Sequence, residues 1–497
     1  MKLSQLLEGI SVLKMFQTMY GKMVVTHDVE ISGIAYDSRT VERGNIFVAL
    51  KGVASDGHRF LQSAIDKGAK VLVVQDDNSI PDSFCMHAGV VKIVVENTRK
   101  VLAQLSANYY HHPTKKLQCI GVTGTNGKTT TTFLLKQLLE KNPKHKVGLI
   151  GTVEYHIGDE KISATHTTPE SLELQKLFSQ MVEKQCTHVV MEVSSHALHQ
   201  YRVYGIEFAA AVFTNLTQDH LDYHNTMEEY FSAKKIFFDS LTEKAIAVSN
   251  GDAEYGEKII VNTKAKKVFY GIHSSADVVA KNILLTINGF QCEVDGKKIQ
   301  TSLVGKFNIY NFLAAYTTVI KLGYEIENST IQSLQPAPGR FEQFHSPQGW
   351  LAIVDYAHTP DGFKNCLQAI HDILPKNRNN KIYIIFGAGG DRDKTKRPLM
   401  GAIAEQLSDV VVITEDNPRT ENLQVIIDDI CRGIQNREKI IIEVDRRKAI
   451  EKTLSLARSG DVVLLAGKGH ENYQIIGKEK HYFSDKEIVK EYIAKHV

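Results

Sequence analysis

The hydrophobic and polar pattern in the middle of the chain predicts α/β structure. Short apolar runs alternate with stretches in which apolar residues recur at helical spacing. The runs are almost continuously hydrophobic, which is typical of parallel strands buried on both faces. Between residues 114 and 335 they cover 117–122, 147–153, 188–193, 209–215 and 245–248. After Val278, Asn288-Gly289 and Asp295-Gly296 predict antiparallel hairpins.

The flanking parts of the chain show the same alternation. Before residue 114, the strand-like runs 46–50, 71–74 and 90–95 predict a small α/β domain. After residue 335, five apolar runs separated by helical stretches predict an open, doubly wound, Rossmann-like sheet. These runs cover 351–354, 382–386, 410–413, 440–442 and 462–465.

Two proline-containing segments mark the predicted domain boundaries. His111-His112-Pro113 has the pattern of a helix end, and Pro336-Ala337-Pro338-Gly339-Arg340 that of a rigid linker. We therefore predict three domains, 1–113, 114–335 and 336–497. The length of 497 residues exceeds what one hydrophobic core supports, which agrees with this division.

A glycine-rich loop stands between the strand 117–122 and a predicted helix, 131–140. Residues 121–130 are GVTGTNGKTT. A strand, a glycine loop, a lysine, a hydroxyl and a helix together bind nucleotide phosphates, because backbone N–H groups and the positive helix end point at the anion. Lys128 is expected to reach the terminal phosphates, and the Thr129 hydroxyl to ligate Mg²⁺.

The loop departs from the standard motif at one position. Val122 stands five residues before Gly127, where a glycine is usual, and Gly121 lies beside it. The flanking strand and helix are nevertheless in place, so the sequence predicts a P-loop nucleotide site. Its residues are Gly124, Thr125, Asn126, Gly127, Lys128, Thr129 and Thr130.

Composition excludes several classes of protein. The chain has 59 basic and 57 acidic side chains, for a net charge of +2, and 43% of its residues are hydrophobic. This balance favours neither a nucleic-acid partner nor a membrane surface. The N-terminus lacks the apolar core of a signal peptide, and no run approaches the roughly 18 residues of a membrane span. The six cysteines form no CxxC pair, so we expect reduced thiols in a cytoplasmic protein.

Polar residues follow several of the central strands. Thr167 and Thr168 stand before a helix, where hydroxyls cap the helix or bind an anion. Glu192 ends the run 188–193, and Ser194 follows it. A carboxylate that ends a strand beside a phosphate loop is well placed to hold Mg²⁺, directly or through water.

Two further features leave more than one interpretation open. His220 and His224 are at helical spacing and are candidate metal ligands, but capping and surface roles explain them equally well. Lys234 lies among aromatic residues, where a lysine usually extends to solvent, and Lys235 has nearly the same neighbours. No lysine chemistry follows from this stretch alone.

Two asparagines lie one turn apart at the start of a predicted helix, 308–320. Capping explains only one of Asn308 and Asn311, so contact with a purine or a ribose is the second interpretation.

Charged and glycine residues follow four of the five C-terminal strands. The motifs are DYAH at 355–358, GAGGDRD at 387–393, DNPR at 416–419 and GKGHE at 467–471. In doubly wound sheets, ligands bind at the carboxyl ends of the strands, so this edge is a second ligand site. A nucleotide site in one domain and a charged site in another predict phosphoryl transfer, with a third reactant brought across by domain closure. The residues alone thus predict an ATP-dependent transferase or ligase.

The order of these motifs resembles the Mur ligases of bacterial cell-wall synthesis. GVTGTNGKTTT, MEVSSHAL, FTNLTQDHLDYH, GKFNIYN, PGRFE and VDYAHTPD occur in the order typical of that family. DSR near the start, FGAGGDRDKTKRPLM, DNPR and GKGHE narrow the resemblance to members that add the third residue of the peptide. The resemblance covers essentially the whole chain.

The resemblance implies the reaction and its partners. In this family the D-glutamyl carboxylate of UDP-N-acetylmuramoyl-L-alanyl-D-glutamate takes the γ-phosphate of ATP to become an acyl phosphate, which the amine of meso-2,6-diaminopimelate attacks. Mg²⁺ is the implied cofactor. The implied domains bind the UDP sugar, ATP and the amino acid, in that order, and the enzyme is expected to be a monomer without membrane insertion.

The resemblance also assigns roles to single residues. Tyr36 and Ser38 match positions that hold UDP, and Thr167, Thr168, Ser194, Gln200 and Arg202 match positions for the muramoyl dipeptide. Glu192 and His220 match Mg²⁺ positions, and Asn308, Asn311, Arg340 and Asp355 match nucleotide positions. Lys234 matches the lysine that is carbamylated in this family, which would make it an anionic metal ligand. Diaminopimelate is assigned to Arg392, Asp416, Asn417, Pro418, Arg419, Gly467 and Glu471, with Arg419 gripping the second carboxylate.

Three alternatives remain at this point. A relative that adds L-lysine is the nearest. A folylpolyglutamate synthase-like ligase shares the ATPase core, but the N-terminal UDP-sugar domain argues against it. A non-catalytic nucleotide switch needs the loop but not the charged C-terminal edge.

Overall fold

The computed structural model describes residues 1–16, 18–19, 22–23, 28–52, 55–273, 275–374 and 379–496. The chain divides into two compact units. The first comprises Met1–Gly121, His145–Ala209 and Ala233–Thr242, and the second comprises Val122–Lys144, Ala210–Ser232 and Glu243–Val497.

The helices and strands follow the predicted alternation. Before the glycine loop they are α1 (Leu3–Leu6), β1 (Lys14–Phe16), β2 (Thr18–Met19), β3 (Lys22–Met23), β4 (Ile34–Ala35), β5 (Ile46–Val48), α2 (Leu61–Asp66), β6 (Val71–Val74), α3 (Asp82–Ala88), β7 (Val91–Val94) and α4 (Thr98–Tyr109).

The middle of the chain holds the largest number of strands. Its elements are β8 (Gln118–Thr123), α5 (Lys128–Glu140), β9 (Val147–Ile150), β10 (Glu154–Ile157), β11 (Glu160–Ser163), α6 (Ser171–Glu183), β12 (His188–Glu192), α7 (Ser195–His199), β13 (Phe208–Phe213), α8 (Leu221–His224), α9 (Met227–Asp239), β14 (Ile246–Asn250), α10 (Gly256–Ile259), β15 (Lys266–Gly271), β16 (Val278–Thr286), β17 (Gly289–Val294), β18 (Lys297–Thr301), α11 (Lys306–Lys321) and α12 (Asn328–Gln332).

The last part of the chain alternates regularly. Its elements are β19 (Glu342–His345), β20 (Leu351–Asp355), α13 (Pro360–Ile373), β21 (Ile382–Phe386), α14 (Lys396–Leu407), β22 (Val410–Ile413), α15 (Leu423–Cys431), β23 (Ile440–Ile442), α16 (Arg446–Leu456), β24 (Val462–Ala466), β25 (Tyr473–Ile476), β26 (Glu479–Tyr482) and α17 (Asp485–Lys495).

The N-terminal sheet, in the first unit, is buried on both faces. Its strand order is β1-β7-β6-β5-β4, with β4 to β7 parallel and β1 antiparallel at the edge. Alternate residues of β5 enter different cores: Ile46 and Val48 pack with Leu3 and Leu6, whereas Phe47 packs on the opposite face. This two-sided burial explains why the strands are continuously hydrophobic.

Each unit also contains part of the central α/β structure. In the first, β12 pairs in parallel with β9, and β9, β10 and β11 form an antiparallel set. In the second, β13, β14, β15 and β16 are parallel neighbours, and β16, β17 and β18 form the antiparallel hairpins predicted after Val278. Helix α5, which follows the glycine loop, packs against α11.

The C-terminal sheet, in the second unit, is the predicted doubly wound sheet. Its order is β19-β20-β24-β21-β22-β23, and the five predicted strands are all parallel. The antiparallel edge strand β19 is an addition to the prediction. Because β24 lies between β20 and β21, the GKGHE motif that follows β24 is placed between DYAH, which follows β20, and GAGGDRD, which follows β21.

Candidate active site

The glycine loop forms the tight turn that the sequence predicted. The φ angles of Gly124 and Gly127 are +149° and +86°, values that L side chains rarely adopt. A methyl group on Gly127 would lie 2.3 Å from Oδ1 of Asn311, and one on Gly124 would lie 1.9 Å from Oγ1 of Thr214. Glycine is therefore required at both positions.

The departure from the standard motif has a packing explanation. Val122 is fully buried in β8, so the apolar side chain serves the core. A methyl group on Gly121 would lie 2.5 Å from Cζ of Phe237. Gly121 thus makes room for an aromatic ring, whereas Gly124 and Gly127 shape the loop.

The segment that follows β13 holds the loop in place. The Thr125 N–H donates to the Asn215 carbonyl at 2.9 Å, and the Asn126 N–H donates to Oδ1 of Asn215 at 2.9 Å. Oγ1 of Thr125 donates to the Thr217 carbonyl at 3.1 Å and accepts from the Thr217 N–H at 3.0 Å. These bonds fix the backbone of the loop before any ligand binds.

Two cations and a hydroxyl meet at the start of α5. Nζ of Lys128 donates to the carbonyls of Gly124 and Thr125, both at 2.9 Å. Oγ1 of Thr129 accepts from Nη2 of Arg340 at 3.2 Å. Lys128, Arg340 and the positive end of a helix together suit a polyphosphate. Thr130, one residue on, is buried in the helix.

The two asparagines of α11 lie behind the loop. Nδ2 of Asn308 donates to the Val304 carbonyl at 2.8 Å, and Nδ2 of Asn311 donates to Oδ1 of Asn308 at 3.0 Å. Both side chains are buried, and Oδ1 of Asn311 lies against Gly127. The pair therefore supports the loop, a role that the sequence did not suggest.

A direct contact joins the loop to the start of α13. Nδ2 of Asn126 donates to Oδ2 of Asp361 at 2.8 Å, and the Thr217 hydroxyl lies 3.4 Å from the same oxygen. Asp361 follows the DYAH motif but was not among the predicted site residues. Only the fold brings these residues together, because they are far apart in sequence.

In the first unit, Glu192 is the centre of a buried polar network. Its carboxylate accepts from the Thr152 N–H at 2.8 Å and from the Thr152 hydroxyl at 3.1 Å. The Thr152 and Thr167 hydroxyls are 3.0 Å apart. Oγ1 of Thr168 donates to the Glu192 carbonyl at 2.8 Å and accepts from the Ser194 N–H at 3.1 Å. Four predicted residues thus share one network.

Arg202 connects the Glu192 network to Gln200 and to the Glu170 carboxylate. Its guanidinium donates to the Thr168 carbonyl at 2.8 Å and to Oε1 of Gln200 at 2.9 Å, and lies 3.5 Å from the Glu170 carboxylate. Glu170 also accepts from Nη1 of Arg99 at 3.2 Å. Arg99, Arg202 and Glu170 together carry a charge of +1 next to the predicted dipeptide residues Thr168 and Gln200.

Tyr36, a predicted UDP residue, donates to Oε1 of Glu173 at 2.9 Å. Burial raises the pKa of Tyr36 far above its ordinary value and also raises that of Glu173. Ser38 starts a short 3-10 helix that Asp37 caps. Asp37-Ser38-Arg39 thus forms the capped start of this short helix.

The structure separates the residues that periodicity left undecided. Lys234 is 1% exposed, whereas Lys235 forms an ion pair with Asp239 on the outer side of α9. His224 is buried with its ring against Tyr230, and the His220 side chain is 44% exposed. His220 has a left-handed backbone and occupies the N-cap position of α8, where its side chain makes no capping hydrogen bond. Of the two histidines, His220 is therefore the one accessible to a ligand.

Two arginines border one glycine at the C-terminal edge. A methyl group on Gly389 would lie 3.0 Å from Nη1 of Arg419 and 3.6 Å from Cγ of Arg392. Nη1 of Arg419 donates to the Gly390 carbonyl at 2.7 Å. The Arg419 N–H donates to the Ile475 carbonyl at 3.1 Å, which fixes its left-handed backbone after Pro418.

Acidic and amide groups lie at the ends of the neighbouring strands. Nδ2 of Asn417 donates to Oε2 of Glu471 at 3.0 Å. A methyl group on Gly467 would lie 3.4 Å from Oδ2 of Asp416, so these two loops touch. Burial raises the pKa of Glu471, whereas the charges of Lys468 and Arg446 outweigh burial at Asp416 and lower its pKa.

Asp355 fixes the segment that carries Arg340. Its carboxylate accepts from the Phe341 N–H at 2.7 Å and from the Ala357 N–H at 2.6 Å. The Arg340 guanidinium lies 4.7 Å from the centre of the Tyr356 ring, which packs on His470. Asp355 therefore positions a residue that contacts the glycine loop.

Several side chains that complete these groups were missed. Lys468 lies within the GKGHE motif and Asp361 ends the VDYAHTPD motif, so motif membership was a signal for both. Thr152 and Glu170 had no such signal in the sequence, because single polar residues near a strand end are common. Within the described part of the chain, no three His, Cys, Asp or Glu side chains are grouped closely enough to hold a metal ion.

Family models match most of the chain. The Mur ligase family, catalytic domain, matches residues 30–110; the Mur ligase middle domain matches 122–319; and the Mur ligase, glutamate ligase domain, matches 339–469.

Individual proteins match over nearly the full length. The chain is 44% identical to a UDP-N-acetylmuramoyl-L-alanyl-D-glutamate–2,6-diaminopimelate ligase of Cytophaga hutchinsonii, over 93% of this chain and 95% of the relative. It is 43% identical to the Phocaeicola vulgatus protein of the same name, over 99% of this chain and 100% of the relative. A solved structure with that name matches with a TM-score of 0.68 at 30% identity, covering 97% of this chain and 99% of the other.

Proposed function

Because the chain belongs to the Mur ligase family, we propose that it joins meso-2,6-diaminopimelate to the D-glutamyl carboxylate of UDP-N-acetylmuramoyl-L-alanyl-D-glutamate. The chain is an ATP-dependent ligase that forms an amide bond and releases ADP and phosphate. The product is the tripeptide precursor of peptidoglycan.

The arrangement of charges at the C-terminal edge is the observation that carries the choice of amino acid. Diaminopimelate has an amino-acid group at each end of its chain, whereas lysine lacks the second carboxylate. Arg419 and Arg392 at Gly389 suit that carboxylate, because a guanidinium forms parallel hydrogen bonds with it. Asp416, Asn417 and Glu471 suit an ammonium group.

Phosphoryl transfer is assigned to the glycine loop. The Lys128 ammonium now bonded to two loop carbonyls would turn to the γ-phosphate, where charge develops in the transition state. Arg340 adds a second cation, and the backbone of residues 124–130 holds the phosphates. The amine would then attack the acyl carbon of the acyl phosphate, which forms the amide bond and releases phosphate.

We propose Mg²⁺ as the cofactor on the chemistry of the donors. The Thr129 hydroxyl and the Glu192 carboxylate are oxygen ligands, which Mg²⁺ prefers, and it usually takes few protein ligands besides phosphates and waters. His220 and a carbamylated Lys234 are the other metal positions that the resemblance implies. The ion would neutralise charge on the phosphates.

The remaining assignments follow the same resemblance. We propose that Tyr36 and Ser38 hold UDP, and that Thr167, Thr168, Ser194, Gln200 and Arg202 hold the muramoyl dipeptide. We assign Asn308, Asn311 and Asp355 to the binding of the nucleotide. We propose three domains, which comprise residues 1–113, 114–335 and 336–497. A cytoplasmic monomer is the proposed form. Among the described residues, no helix has both the length and the apolar character to cross a bilayer.

Release of ADP with defined substrates tests the proposal. The enzyme is supplied with ATP, Mg²⁺, the UDP-dipeptide and one amino acid at a time. We expect ADP release with meso-diaminopimelate, at least tenfold slower release with L-lysine, and none without the UDP-dipeptide. Faster ADP release with lysine than with meso-diaminopimelate would indicate the lysine-adding relative. ADP release with a folate acceptor and glutamate would indicate the synthase. ADP release without any acceptor would indicate a nucleotide switch.

A further inference from the structure

A fully buried lysine lies beneath the acidic residues of the C-terminal edge. Lys468 is 0% exposed, so it does not reach a ligand itself. Its Nζ donates to Oδ1 of Asp416 at 3.1 Å and to Oδ1 of Asn417 at 3.3 Å, and it lies 3.6 Å from Oε2 of Glu471. One ammonium therefore contacts three side chains on two different strand-end loops.

The three side chains also depend on one another. Asn417 donates to Glu471 at 3.0 Å, and its Oδ1 accepts from the Ile475 N–H at 2.9 Å. The Tyr473 hydroxyl donates to Oε1 of Glu471 at 3.2 Å. Lys468 is the shared cation of this network, because it joins the loop after β22 to the loop after β24.

The charges of the network indicate its purpose. Asp416 and Glu471 carry two negative charges when ionised, and Lys468 neutralises one of them. The nearby Arg446 is itself matched by Asp485, with bonds of 2.7 and 2.8 Å. Asp416, Glu471 and Lys468 together therefore carry a charge of −1, which suits one ammonium group of a zwitterionic ligand. Two neighbouring carboxylates without a cation would instead favour protonation of one of them.

We propose that Lys468 is a positioning residue that holds Asp416, Asn417 and Glu471 in place and keeps the two carboxylates charged to receive an ammonium group of the incoming amino acid. This inference rests on the proposed function and adds to it a residue that never contacts the substrate. The inference has a specific consequence: loss of Lys468 weakens binding of the amino acid much more than it weakens binding of ATP.

Substitution of Lys468 by methionine tests the proposal, because methionine is of similar length and uncharged. We expect the KM for meso-diaminopimelate to rise at least about thirtyfold, the size associated with breaking a buried charged pair. The KM for ATP should change less than about threefold. The matched control is Lys92→Met, which removes an equally buried lysine, 1% exposed and paired with Asp77, from the first unit. The control should lose stability without changing the KM for the amino acid.

The pH profile separates positioning from general structural damage. Burial already raises the pKa of Glu471, and Lys468 opposes that rise. Removing Lys468 should therefore move the acid limb of kcat/KM for the amino acid to higher pH. The other groups that face Glu471 are Asp416, Asn417, Tyr473, Tyr356 and Arg446, and they are the same in both proteins.

A folding defect is handled by a second variant. If Lys468→Met does not fold, Lys468→Gln, which keeps a hydrogen-bond donor, is measured in the same way, with thermal unfolding as the check on the fold. An unchanged KM for the amino acid and an unmoved acid limb in a folded variant would overturn the inference while leaving the proposed function intact. A wild-type enzyme that uses no amino acid would overturn the proposed function and this inference with it.

Discussion

The replacement of Arg419 by lysine tests the assignment of the second carboxylate. The change keeps the positive charge and removes only the planar fork of donors. The backbone cost is nearly the same for both side chains, because Arg419 is left-handed in either case and its N–H and carbonyl remain bonded to Ile475 and Gly477. Any change in selectivity therefore reports on the guanidinium.

The expected magnitude follows from the hydrogen bonds that are lost. Nη1 of Arg419 already donates to the Gly390 carbonyl at 2.7 Å, which leaves its other N–H groups for a carboxylate. A lysine ammonium does not reproduce the parallel pair. Loss of one charge-assisted hydrogen bond costs about 1.5–3 kcal/mol. This corresponds to about a tenfold to 150-fold loss of kcat/KM for meso-diaminopimelate, at roughly tenfold per 1.4 kcal/mol.

The assay is a direct competition. Wild type and Arg419→Lys receive equal concentrations of meso-diaminopimelate and L-lysine, and the two tripeptide products are separated and quantified. The ratio of products should shift toward lysine by the same factor, with an unchanged KM for ATP. Arg432→Lys is the control, because Arg432 is 74% exposed and paired with Asp429. An unchanged product ratio in Arg419→Lys would refute the assignment.

Three further predictions concern other parts of the chain. Lys128→Ala should abolish ADP release while thermal unfolding stays close to wild type, because Lys128 is the first residue of α5 and its side chain is only partly buried. Near-normal ligation by the folded variant would contradict its role. Lys234→Ala should be nearly inactive, and a short carboxylic acid that replaces the carbamate should partly restore its activity. Lys235→Ala, the control, should be active. Mass spectrometry that finds an unmodified Lys234 in a fully active enzyme would exclude carbamylation. Hydrogen bonds from Arg397 hold the pKa of Glu421 well below its ordinary value of 4.5. The ionised pair of Glu421 and Arg397 therefore stabilises the fold above pH 4.5. This stabilisation is lost as the pH falls through the lowered pKa of Glu421. Denaturant unfolding should show Glu421→Gln less stable than wild type at pH 7, with the difference shrinking in acid; a difference independent of pH would contradict this.

The sequence by itself determined which segments become strands and helices in much of the chain. The five C-terminal strands were predicted within a residue of their observed bounds, because continuous apolar runs bounded by polar residues identify buried parallel strands locally. The glycine loop was also recognisable from its sequence, since its two left-handed glycines and the following lysine are neighbours along the chain. The motifs at strand ends indicated a ligand edge for the same reason.

The tertiary structure decided which of these residues meet. Periodicity gives the same surroundings to Lys234 and Lys235, yet packing of α9 buries only the first. The strand order β24-β21-β22 brings the loop of Lys468 to the loop of Asp416, although the two residues are 52 apart in sequence. Arg340 reaches Thr129 across 211 residues. A hydrophobic pattern specifies that a face is buried but not which partner covers it, so contacts between distant residues emerge only when the strands are ordered in space.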